Sequence, residues 1–167
     1  WGTELLLDNV VYISEEKNEQ IKNSTLRPND ILFAKTGATI GKTGIIPESL
    51  PISNTTSHIG KITLSEKYHP RFVFYVLSSP IGYKQFWQIA IQKTTRPELS
   101  IEEMRGIKIL VPNTYEEQEE ITSYLDEKCS KIDKIITKKE QFLTELDTYK
   151  KSLIYEYVTG KKEVPQA

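Results

Sequence analysis

The chain has 167 residues, about one domain's worth, and its 22 Lys and Arg against 23 Asp and Glu give a formal net charge of −1 at pH 7. That near-neutral total argues against a uniformly basic nucleic-acid binder, while 38% hydrophobic and 27% charged residues describe a chain able to bury a core. No apolar run approaches the ~18 residues of a membrane span, no leader pattern stands at the start, and a lone Cys129 excludes an internal disulfide and a cysteine-rich zinc site.

The chain starts at Trp1 and holds Met104 as its one methionine, which reads as a processed chain or a fragment. Up to about Lys67, short apolar runs alternate with turn residues. Residues 5–7, 10–13, 31–34, 44–46 and 58–62 all read as strands. Arg27-Pro28-Asn29-Asp30 is a turn before the third of these, with Asn29 able to tolerate a left-handed backbone. Pro70 then opens a helical stretch through Phe72, Val73, Tyr75, Val76 and Leu77. Ser79-Pro80 breaks it, and Ile81, Phe86, Trp87 and Ile89 resume it, as two short helices or one kinked helix. Residues 107–111 form a last strand, stopped by Pro112. The order predicts an α+β fold: a mixed-sheet globular domain over 1–114.

Beyond Thr114 the pattern changes. Thr114-Tyr115-Glu116-Glu117 is a capping-box sequence, acids crowd the first turns, and no Pro or Gly follows until Gly160. Ile121, Leu125, Ile132, Ile135, Phe142, Leu146, Tyr149 and Leu153 recur in alternating threes and fours, the spacing of a coiled-coil seam. One helix of about 45 residues is about 67 Å long, and so long a stripe needs another helix to cover it. The alternative is a two-helix hairpin turning near Thr137-Lys138-Lys139. Residues 161–167 are a tail.

The charge divides with the architecture. Residues 1–114 carry a net charge of +2 and residues 115–167 one of −3; within residues 20–100 ten bases face four acids. A basic body with an acidic helix suggests a polyanion partner for one part only.

Candidate chemistry is sparse. Gly37-Ala38-Thr39-Ile40-Gly41-Lys42-Thr43 has three residues, not four, before Gly-Lys-Thr, and a strand instead of a helix follows, which rejects a nucleotide-phosphate loop. His58 and His69 have no third ligand nearby, so no metal site is expected. Cys129 on the helix is most simply a packing residue. No nucleophile has a base that the sequence nominates, so the chain is expected to be no enzyme and to carry no cofactor. Three polar clusters remain: Lys35-Thr36-Gly37-Ala38-Thr39 with Lys42 just beyond, Ser53-Asn54-Thr55-Thr56-Ser57-His58, and Gln92-Lys93-Thr94-Thr95-Arg96. They pair cations suited to phosphates with hydroxyl, amide and imidazole groups suited to phosphates or base edges. Lys35, Lys42, Lys93 and Arg96 are candidate phosphate contacts, and Arg96 could instead reach a guanine.

Two segments carry a family resemblance. Residues 112–121, with Leu125 following, are similar to the Pro…Glu-Gln-x-x-Ile-x-x-x-Leu opening of the central helix in specificity (S) subunits of type I restriction–modification systems. Lys151-Ser152-Leu153-Ile154-Tyr155-Glu156-Tyr157-Val158-Thr159-Gly160-Lys161 resembles the same family's helix end. Leu26-Arg27-Pro28-Asn29-Asp30-Ile31-Leu32 resembles its Leu-x-Pro-Gly-Asp-Ile-Leu turn with Asn29 for Gly, and residues 37–42 match its Gly-x-x-Ile-Gly-Lys hairpin. The resemblance implies a non-catalytic, cytoplasmic chain in which 1–114 is most of one DNA target recognition domain and 115–160 a spacer helix. It implies double-stranded DNA, methyltransferase (M) and restriction (R) subunits as partners, with S-adenosylmethionine bound by the M subunits. The helix is expected to pair with that of a second S half or a second copy. A pure interaction module that dimerises through the helix without reading DNA is the alternative.

Overall fold

The computed structural model describes Leu5, residues 10–91 and residues 97–165. The turn at Arg27–Asp30 sets up the sheet. The Asp30 N–H donates to Arg27 O at 3.0 Å, and the buried Asp30 carboxylate accepts from the Arg27 N–H at 2.9 Å and the Thr63 hydroxyl at 2.6 Å. Lys61, 3.8 Å from that carboxylate, also donates to Thr25 O at 2.7 Å, so the buried charge is both paired and hydrogen-bonded. Asn29 adopts φ 68°, the left-handed state that short amide side chains tolerate.

Three strands follow, β1 (Ile31–Ala34), β2 (Thr43–Ile45) and β3 (Ile59–Ile62), in the order β2-β1-β3 and antiparallel in both pairings. In the central β1, buried Ile31 and Phe33 alternate with half-buried neighbours, the period-2 signature of one covered face. Phe33 lies opposite Gly60, where an added Cβ would sit 1.9 Å from its ring, so only glycine admits the aromatic there.

Two helices cover that face. Pro70 starts α2 (Pro70–Ser78). Ser79 then ends it, and its hydroxyl accepts the Gly82 N–H at 3.2 Å to cap α3 (Pro80–Ala90). The stretch is thus two helices rather than one kinked helix. Phe72, Val73, Phe74, Leu77, Phe86 and Ala90 meet Ile31, Phe33, Ile40 and Leu99 in one core, with Phe33 and Phe86 stacked at 5.9 Å. Each large side chain removed from water there contributes about 1.5–3 kcal/mol. A short polar helix, α1 (Glu15–Gln20), capped by Ser14, and a one-turn helix, α4 (Ile101–Met104), closed by a Ser100–Glu103 capping box, complete the domain. The fold class is α+β, as expected.

Two expected strands do not form. Residues 10–13 have no ladder and are exposed, and α1 follows them directly. Of residues 5–7, Leu5 has no regular structure and the other two lie outside the described residues. Residues 107–111 keep a strand's alternation, with Ile107, Ile109 and Val111 packed on the core and Leu110 exposed, yet among the described residues no strand pairs with them. A side chain takes the partner's place: the Gln85 amide donates to Lys108 O at 3.0 Å and accepts from the Lys108 N–H at 3.1 Å. That reciprocal pair satisfies the backbone without a ladder.

The last helix, α5 (Tyr115–Val158), is 44 residues long and unbroken, about 66 Å of helix; the hairpin alternative does not occur. The Thr114 hydroxyl accepts the Glu117 N–H at 3.3 Å at its start. At its end Gly160, φ 70°, lets the Lys161 and Gly160 N–H groups close on Glu156 O and Tyr157 O, a Schellman stop. Residues 1–122 form one compact unit and residues 123–167 a second. In the first unit, buried Gln118 accepts the His69 N–H at 2.8 Å and donates to Pro112 O at 3.2 Å. In the second, Ile132, Ile135, Phe142, Leu146 and Tyr149 are 45–62% exposed. Among the described residues no helix is long and apolar enough to cross a membrane.

Candidate nucleic-acid interface

The end of β1 gathers Lys35, Thr36, Lys42, Ser57 and His58 among the polar residues singled out above. Beyond Ala34 the chain turns through a single 3-10 turn, Gly37–Thr39, and returns at Gly41 and Lys42 into β2. The Gly41 N–H donates to Ala34 O at 3.0 Å and the Ala34 N–H to Lys42 O at 2.9 Å, which closes the hairpin. Gly41 has φ 78°, and a Cβ there would lie 2.9 Å from Phe86 Cβ; glycine is required on both counts. Buried Ile40 plugs the turn into the core, so Lys35, Thr36 and Lys42 are carried on a fixed base. A strand, not a helix, follows the Gly-Lys-Thr sequence.

The loop before β3 reaches the same end of the sheet. The Lys35 N–H donates to His58 O at 2.8 Å, and the Lys35 ammonium to Ser57 O at 3.2 Å. The Thr36 hydroxyl and His58 Nδ1 are 3.3 Å apart. Thr56, Ser57 and His58 are exposed; Thr55 is half-buried. A third segment arrives from elsewhere: Thr36 bridges Glu98 in antiparallel fashion, and the Leu99 N–H donates to Lys35 O at 2.9 Å. This ties the chain just after residues 92–96 to the tip of β1. Lys93, Thr94, Thr95 and Arg96 themselves lie outside the described residues.

Asn54 differs from its neighbours. Its amide oxygen accepts from the Ser24 hydroxyl at 2.8 Å, its amide nitrogen donates to Asn18 Oδ1, and its backbone bridges Thr25. Both ends of that side chain fasten the α1 region to the loop rather than face outward. His69 likewise works inside: its Nδ1 accepts the Phe72 N–H at 3.3 Å as the cap of α2 and lies 3.4 Å from the Thr122 hydroxyl. Two residues of consequence carried no strong sequence signal, Glu98 at the tip of β1 and Gln118 at the start of α5. The first is a single acid after Pro97 in no motif; the second is visible only as part of the Glu-Gln pair in the helix-opening motif.

A polar, cation-bearing surface at one end of a small sheet, with Lys35, Thr36 and Lys42 on the hairpin and Ser57 and His58 on the loop before β3, can meet phosphates and base edges together. The family model described as "Type I restriction modification DNA specificity domain" matches residues 1–145. The chain is similar to the type I restriction enzyme EcoBI specificity subunit of Escherichia coli, 28% identical over 160 residues, which cover 95% of this chain and 33% of that protein. It therefore spans about a third of that relative. A solved chain from work on complex assembly and conformational transition of the type I R-M system matches with a TM-score of 0.61 and 16% identity, over 80% of this chain and 31% of that one. At that identity the likeness shows a shared fold.

Proposed function

Because the chain belongs to the type I restriction modification DNA specificity family, we propose that it reads one half of a split DNA site inside a type I restriction–modification complex. Residues 1–114 act as the target recognition domain, 115–160 as the spacer helix and 161–167 as a tail. The chain itself does no chemistry. M subunits dock on the helix and bring S-adenosylmethionine and methyl transfer; R subunits bring ATP-driven cleavage. The stripe of Ile121, Leu125, Ile132, Ile135, Phe142, Leu146, Tyr149 and Leu153, exposed at all but half-buried Leu125 and Leu153, packs on the helix of a second recognition half or a second copy.

The observation that carries this reading is the convergence at the tip of β1, where the Lys35–Thr36, Ser57–His58 and Glu98–Leu99 segments are hydrogen-bonded into one surface. Lys35, Lys42, Lys93 and Arg96 serve phosphates, with Arg96 also within the chemistry of a guanine edge. Thr36, Thr55, Thr56, Ser57, His58, Thr94 and Thr95 position the duplex or contact bases. Asn54 supports the loop from within. In a low-salt mobility-shift assay of the assembled M–S complex, Lys93→Ala with Arg96→Ala weakens duplex binding and leaves assembly intact; unchanged affinity removes that loop from the interface.

A second reading rests on the exposed stripe of α5 alone: a half-size interaction module that dimerises through its helix without reading DNA. Sedimentation with and without a cognate M subunit, each with and without a duplex, separates the two.

A further inference from the structure

The surface at the tip of β1 contains one group that does not suit a phosphate. Between residues 20 and 100 the acids are Asp30, Glu48, Glu66 and Glu98, against ten bases. Asp30 is buried and fully engaged beneath β1. Glu98 is exposed and sits opposite Thr36 in an antiparallel bridge. Because the flanking Leu99 N–H bonds to Lys35 O at 2.9 Å, Thr36 and Glu98 are a non-hydrogen-bonded pair, in which opposed side chains stand closest and on one face. The register is fixed from below, since Leu99 is completely buried and its neighbour must then point outward. Thr36 in turn meets His58 Nδ1 at 3.3 Å. The Glu98 carboxylate therefore shares one outward face with the Thr36 hydroxyl and the His58 imidazole. Among the described residues no hydrogen bond or ion pair engages it.

A carboxylate on a phosphate-binding face is repelled by the DNA backbone unless it faces a donor on a base edge. In the major groove the donors are the amino groups of cytosine and adenine. Adenine places the N7 lone pair beside its amino group, which repels an acceptor-only carboxylate; cytosine places a C–H there. We propose that Glu98 is a specificity-determining residue that accepts a hydrogen bond from the N4 amino group of a cytosine in the recognised half-site, flanked by Thr36 and His58. This rests on the DNA-reading assignment above and adds the base and the group that reads it.

The test is selection from randomised duplexes by the complete M–S complex with the original chain, with Glu98→Gln and with Glu98→Ala, scored for base preference at each position and for the salt dependence of binding. The original chain requires C·G at one position. Glu98→Ala relaxes that position alone, with discrimination there falling between about 5-fold and about 150-fold. Glu98→Gln, nearly the same size, moves the preference toward adenine, whose N6 and N7 an amide can pair together. The salt slope stays the same, because no phosphate contact is lost. Unchanged preference at every position in both variants overturns the proposal, and so does a loss of affinity equal for all sequences. If the original chain selects no sequence at all, the DNA-reading assignment fails and Glu98 falls with it.

Discussion

Gln118→Ala tests how the start of α5 is seated on the first compact unit. Gln118 is 1% exposed; it accepts the His69 N–H at 2.8 Å, donates to Pro112 O at 3.2 Å and makes a longer 3.5 Å bond to Lys67 O. Truncation leaves the His69 N–H without an acceptor in a part-buried site, at about 1–3 kcal/mol. It also removes two buried methylene-sized groups' worth of packing, at about 0.8 kcal/mol each. Some relaxation and water entry offset this, so the expected loss is about 2–4 kcal/mol. Urea unfolding of the whole chain reads it as a drop of roughly 1–2 M in midpoint at unchanged slope. Amide exchange reads the same event locally, as lost protection of His69 N–H. A loss under about 0.5 kcal/mol, or undiminished protection at His69, refutes the role given to Gln118.

Gly41→Ala combines a left-handed backbone with a 2.9 Å approach to Phe86 Cβ, and is expected to cost about 2–3 kcal/mol in thermal or chemical unfolding. Lys35→Ala with Lys42→Ala weakens duplex binding by the M–S complex about equally for all sequences and lowers the salt slope by about 2; a change in base preference at constant slope contradicts a phosphate role for both. Ile135→Asp with Phe142→Asp, at 54% and 58% exposure, abolishes helix pairing in sedimentation while leaving the unfolding of the first unit unchanged; retained pairing refutes the stripe as the seam.

The sheet and the long helix were legible for simple reasons. Residues 31–34, 44–46 and 58–62 combine apolar alternation with turn residues at their ends, and β1, β2 and β3 lie within two residues of those bounds. The turn with Asn29 and the break at Ser79-Pro80 were readable because each depends on the local chemistry of one or two residues. α5 followed from capping, periodicity and the absence of any breaker. What was not legible depends on distant partners. Residues 107–111 have a strand's composition, but their backbone bonds to the Gln85 side chain, 23 positions away, and no local pattern announces that. Residues 10–13 are β-prone yet unpaired, because propensity supplies no partner strand. α1 is six mostly polar residues held by a Ser14 cap, too short and too polar for periodicity to register.

The candidate interface divides along the same line. The three polar clusters were visible as composition, and Lys35, Thr36, Ser57 and His58 do come together. Asn54 belongs to the same run of residues, but Asn18 and Ser24, more than 25 positions earlier, hold both ends of its amide. Glu98 is the reverse case: unremarkable in sequence, it is carried to the tip of β1 by an isolated bridge to Thr36.

DNA reading by residues 1–114 is tested most directly by mapping methylated bases in a genome whose type I system carries this chain, before and after those residues are exchanged for the equivalent segment of a relative. The predicted result is a two-part methylated motif in which one half changes with the exchange while the other half and the spacing stay fixed. A motif that is unchanged by the exchange contradicts the assignment.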